Sequence, residues 1–172
     1  MKLRGSMTIN GKSYQAGDEV PWRFIYPFFA VHMLAFGLSG FYMAYSSDGP
    51  GIGFLYLHGG FAILIYLVFY LSIFGLEETK WMFINAGLGL FGIYAEIGWI
   101  LGYFGTTLQD YPAYVHVVPF LYYILYTFLL RQAFIDFTNS RANPKRRTRV
   151  ERSYIAISVL VYGVLFFSGS RI

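Results

Sequence analysis

Four ionisable side chains fall inside otherwise uncharged apolar stretches: His32, His58, Glu96 and His116. Ionisable groups at membrane depth are costly and are functional suspects by default. Three chemistries compete for them. Carboxylate–imidazole series relay protons, so Glu96, His58 and His116, with His32 nearer mid-span, make a candidate proton or small-cation pathway. Two histidines and one carboxylate, here His58, His116 and Glu96, are also a ligand set for a transition metal such as iron, zinc or copper. In the third chemistry, His58 and His116 are the axial ligands of a b-type haem, with Gly59 and Gly60 making room for the ring. Only Arg171 is then at hand for the propionates. A structural account stands beside all three, with each histidine bonded to a backbone carbonyl or water and a protonated Glu96 tying helices together. No His-Glu-x-x-His, phosphate-binding glycine loop or nucleophile elbow occurs to choose among them.

Depth and face bring some of these residues together. At 1.5 Å of rise per residue, His58, Glu96 and His116 each lie roughly 7–11 Å beneath the same membrane boundary. Asn85, Gly89, Gly92, Glu96, Trp99 and Tyr103 recur at i+3/i+4 spacing and place Glu96 on a small and polar helix stripe. His116, Pro119, Tyr123 and Tyr126 share a face of the next helix.

The elements that must position these residues follow from charge placement. Of 172 residues, 56% are hydrophobic and only 13% charged. The uncharged runs predict spans near 24–45, 53–74, 81–103, 111–130 and 153–169, the last the shortest. They are too long and too uniformly apolar for barrel strands, so helices must satisfy the backbone in lipid. The expected fold is an all-α integral membrane protein. It has a bundle of about five transmembrane helices over 23–170, a basic loop over 131–152, and a small N-terminal β-hairpin cap within 1–22. The first span exceeds the apolar run of a typical signal peptide. No internal repeat is evident, which weakens a transporter built from paired halves.

Twelve of the 13 lysines and arginines fall on the side shared by the N-terminus and the 75–80 and 131–152 loops. The positive-inside rule therefore predicts a cytoplasmic N-terminus and an external C-terminus. The short loops suit a bacterial inner membrane. Residues 1–6, Met-Lys-Leu-Arg-Gly-Ser, are open to two readings, native sequence or a cloning remnant ahead of Met7, and the orientation survives without them. Asn10-Gly11 is the sequence of a type I′ turn, which places the hairpin over Met7–Tyr14. Lys145, Arg146, Arg147 and Arg149 form a juxtamembrane cluster suited to anionic lipid and to anchoring the topology.

Nineteen glycines are concentrated in the spans. Gly89, Gly92, Gly98 and Gly102 mark a helix-packing face, because small residues let backbones approach where lipid supplies no hydrophobic drive. That face suits a homo-oligomer or a larger membrane complex. The absence of cysteine excludes disulfides, thiolate metal sites and covalent haem attachment. With the basic residues at membrane edges, the net charge of +4 carries no nucleic-acid reading. The leading expectation is a small polytopic subunit that conducts or senses protons or small ions through Glu96, His58 and His116. The rivals are a membrane redox or metalloenzyme subunit and a structural subunit of a larger complex.

Overall fold

The computed structural model describes residues 2–9 and 11–169. In chain order these form β1 (Met7–Ile9), β2 (Lys12–Tyr14), α1 (Trp22–Tyr45), α2 (Ile52–Phe74), a single turn α3 (Leu76–Thr79), α4 (Trp81–Tyr103), α5 (Val117–Phe137) and α6 (Pro144–Gly169). Two short 3₁₀ helices, Leu108–Asp110 and Ala113–His116, lie between α4 and α5. Among the described residues, five helical stretches are long and apolar enough to cross a membrane: Trp22–Tyr45, Ile52–Phe74, Leu76–Tyr103, Ala113–Phe137 and Pro144–Ser168. The chain is an all-α protein with five candidate spans and a two-stranded N-terminal sheet, the expected fold class. It divides into two compact units, Met1–Phe83 and Ile84–Ile172.

In the first unit, β1 and β2 pair antiparallel with Met7 opposite Tyr14 and Ile9 opposite Lys12. Gly11 takes φ +76°, the left-handed conformation a tight hairpin turn needs. Asn10, the other residue on which the type I′ reading rests, lies outside the described residues. The segment before the hairpin is built into the fold. Leu3 is only 2% exposed and exchanges backbone hydrogen bonds with its neighbours, donating to Asp18 O and accepting from Gly17 N. The backbone N–H groups of Arg4 and Gly5 both donate to Ser72 O, at 2.9 and 2.7 Å. The last turn of a helix leaves carbonyls without intrahelical partners, and here the beginning of the chain supplies one of them.

α1 and α2 pack through aromatic side chains. Tyr70 is fully buried, donates its hydroxyl to Met33 Sδ at 3.1 Å, and meets Phe29 edge-on with ring centroids 5.6 Å apart. α2 closes at Gly75, whose φ of +82° permits the sharp exit into α3.

In the second unit, Gly89 and Gly92 are buried on α4. A methyl group at Gly89 would lie 3.3 Å from Tyr123 Cδ1, and one at Gly92 would lie 2.9 Å from Tyr162 Cζ. Two of the four packing glycines therefore admit tyrosines of α5 and α6. Gly98 faces Leu108 of the following loop.

The boundaries of the last two helices differ from the expected ones. The span expected to close at Leu130 runs on to Phe137, and the one expected from Ser153 begins at Pro144. Only 138–143 remains as a link where a loop over 131–152 was expected. Two effects explain the difference. Arg131, 1% exposed, pairs with Glu151, which also accepts from Arg147 Nε at 2.9 Å. A charge held this way can sit within a helix pair instead of ending it. The link also carries strong helix signals. At its start Asn139 adopts φ +49°, with Asn139 N donating to Asp136 O and Ser140 N to Ile135 O, a Schellman closure with asparagine in place of glycine. At its end Asn143 Oδ1 accepts from Arg146 N, and Pro144 occupies the first helical position, where its missing N–H costs nothing.

Candidate functional site

His32 and His58 belong to the first unit, Glu96 and His116 to the second. His32 Nδ1 bonds Phe28 O one turn back at 2.8 Å, with its ring 4.1 Å from that of Phe28. His58 Nε2 lies 3.5 Å from Ser39 Oγ, between the rings of Phe36 and Phe54. His116 Nε2 bonds Leu108 O at 3.2 Å and closes the link between α4 and α5. That link is also fixed by Asp110 Oδ2, which accepts from Thr107 N and Thr107 Oγ1 at 2.6 and 3.0 Å.

Glu96 and His116 do not share a cavity. His116 lines a small pocket with Leu108, Ala113 and Phe120, whereas Glu96 opens on a different cleft. Among the described residues, no group of three or more His, Asp or Glu side chains is placed to hold a metal ion. The two-histidine, one-carboxylate ligand set therefore finds no geometric support.

Glu96 opens on a cleft that is largely apolar and carries several hydroxyls. Its cleft, about 460 Å³ in volume, is lined by α4, α5 and α6 and takes in Tyr123, Tyr162, Ser158, Tyr154 and Thr127 before reaching Arg149. Tyr123 donates its hydroxyl to that of Tyr162, and Tyr154 donates to Thr127 O at 2.9 Å. Glu96 itself is half-buried. Beyond the cleft, at the basic end of the helix pair, lies a second polar cluster. There Arg141 grips Asp136 through two bonds, at 2.5 and 2.8 Å, and reaches Gln132 Oε1 at 2.9 Å.

The helical position of each cleft residue accounts for its place. On α6, Val150, Tyr154, Ser158 and Tyr162 repeat at i+4, and Arg149 and Ser153 flank that stripe. On α5, Tyr123, Tyr126 and Thr127 share a face. The α6 stripe is the part of the cleft that the sequence reading missed. The Tyr-Ser-Tyr spacing lay inside the expected span, but a start at Ser153 left Arg149 and Val150, at the foot of the stripe, in a loop. The basic cluster is recast as well. Arg147 is tied to Glu151, Arg146 donates its backbone N–H to the helix cap, and Arg149 lines the cleft.

No protein-family model, curated protein or solved structure matches this chain.

Proposed function

We propose that this chain is a small membrane subunit that moves or senses protons or small cations, with Glu96 as its working group and the hydroxyl-lined cleft as the route to it. The observation that carries the reading is the pairing of a lone carboxylate with that cleft. Glu96 is the sole formal charge between Lys80 and Asp110, and it opens half-buried on a cavity that also takes in four tyrosines, Thr127 and Ser158. Intramembrane carboxylates facing a cavity are the groups that bind and release protons in membrane pathways. Hydroxyls both donate and accept, so a file of them can pass a proton or replace part of a cation's water shell. His116 acts in this reading as a clasp of the α4–α5 link, and the pathway runs through tyrosines where the sequence suggested histidines.

The positive-inside count assigns Arg149 and the 138–143 link to the cytoplasm and Glu96 to the outer half of a bacterial inner membrane. The cleft then leads from Glu96 toward the cytoplasmic face. The chain works as a homo-oligomer or within a larger membrane complex, and the half-buried Gly98 and Gly102 line the open groove suited to that contact. The test is flux into proteoliposomes. Glu96→Gln removes the titrating group with almost no change in shape and abolishes transport, while His116→Gln leaves it running. Unchanged flux in Glu96→Gln would remove Glu96 from the mechanism.

A further inference from the structure

The cleft that Glu96 opens on is far larger than a proton or a bare metal ion requires. Its volume of about 460 Å³ falls among the roughly 300–1,000 Å³ of sites that enclose drug-sized molecules. Its surface is largely apolar, and Phe134, Ile157 and Val161, which line it, are also exposed. Exposed apolar side chains on membrane-crossing helices meet lipid tails as apolar as themselves. The cleft therefore opens sideways to the bilayer, and an occupant with an apolar body enters it from the hydrocarbon.

Charge decides among apolar occupants. The lining carries two formal charges, Glu96 and Arg149. They stand far apart. A methyl group on Gly92, one helical turn before Glu96, would lie 2.9 Å from both Tyr123 Cζ and Tyr162 Cζ, so the two tyrosines mark the level of the carboxylate. From Tyr162 back to Arg149 is about 20 Å along α6, at about 1.5 Å of rise per residue. Among the described residues no ion pair neutralises Glu96. A carboxylate in a largely apolar cleft is costly to leave uncompensated, and a phospholipid tail would lay only hydrocarbon against it. A cation brings the missing charge. The tyrosines add to its attraction, because aromatic faces draw cations electrostatically, and the bond from the Tyr123 hydroxyl to that of Tyr162 holds both rings near the carboxylate.

We propose that the cleft binds a lipophilic organic monocation, such as a quaternary ammonium or phosphonium, with its charge held by Glu96 and its apolar body seated against α5 and α6. The inference rests on Glu96 as the working group of this chain and names the class of cation it takes.

The probe is radiolabelled tetraphenylphosphonium, in equilibrium dialysis against the purified full-length chain in detergent micelles, with protein-free micelles as the blank. Wild type binds it saturably. Glu96→Gln weakens binding at least about tenfold, the loss of one charge partner in a partly buried site. Triphenylphosphine oxide, which keeps three phenyl rings and has no net charge, fails to compete. Ile157→Trp narrows the cleft, leaves the carboxylate in place and lowers the affinity too. With the neutral competitor it decides the matter should Glu96→Gln not fold. Unchanged affinity in either variant, competition by triphenylphosphine oxide equal to that of unlabelled tetraphenylphosphonium, or no saturable binding would each overturn the proposal. Proton flux through the same preparations in liposomes separates this reading from the one beneath it. Glu96-dependent flux without tetraphenylphosphonium binding rejects the organic cation alone, and absence of both rejects Glu96 as the working group as well.

Discussion

Replacing Glu151 with glutamine is expected to cost far more than its position in a charge-rich stretch suggests. Glu151 joins two arginines. Arg131 is 1% exposed at its side chain, whereas Arg147, at 25%, can turn toward water. Glutamine keeps the shape of the glutamate and removes its charge, so Arg131 is left buried beside a neutral amide. Breaking a buried ion pair from one side destabilises by about 3–5 kcal/mol, because the remaining charge keeps its desolvation penalty and loses its compensation. An exposed pair of the same composition would cost about 0–1 kcal/mol. The assay is reversible unfolding in mixed micelles, followed by far-UV circular dichroism. The double variant Arg131→Met with Glu151→Leu serves as the control. Removing both charges together should return stability to within about 1 kcal/mol of wild type, or raise it. A Glu151→Gln protein within about 1 kcal/mol of wild type would refute the reasoning, since Arg131 would then be solvated and the α5–α6 pair would not depend on this contact.

Two further substitutions test the packing around the cleft. Gly92→Ala places a methyl group 2.9 Å from Tyr162 Cζ and is expected to destabilise by about 1–3 kcal/mol in the same unfolding assay. Gly87→Ala on the same helix has nothing within 4 Å and should be neutral or stabilising by about 0.5–1 kcal/mol; equal effects at the two positions would contradict the tyrosine contact. Asn143→Ala removes the cap that accepts from Arg146 N and should cost about 1 kcal/mol, read as earlier exchange of the amides of the first α6 turn. Unaltered protection there would show that Pro144 alone sets the start of the helix.

Spans α1, α2 and α4 were legible because long uncharged runs leave the backbone no option in lipid but a helix. The last two helices were less legible because charge was read as a boundary. Arg131 looked like the end of a span, yet Glu151 lies twenty positions on and folds back to neutralise it. No local pattern announces such a partner. Asn143-Pro144 did announce a helix start, but it sat within a basic run that suggested a loop. The candidate site shows the same division. Glu96 on its small and polar stripe was evident from spacing, as was the role of Gly89 and Gly92. The shared depth of His58 and His116 suggested a cluster, but depth says nothing of azimuth. Each of those imidazoles has a local partner, Ser39 Oγ for His58 and Leu108 O for His116.

The most direct measurement is proton and cation flux in proteoliposomes containing wild type, Glu96→Gln or His116→Gln at equal protein content. An imposed pH gradient, a potassium-clamped membrane potential and an internal pH dye would report the flux. The account predicts transport above protein-free vesicles for wild type and His116→Gln, and background rates for Glu96→Gln. Equal rates in wild type and Glu96→Gln, or loss of transport only in His116→Gln, would contradict it.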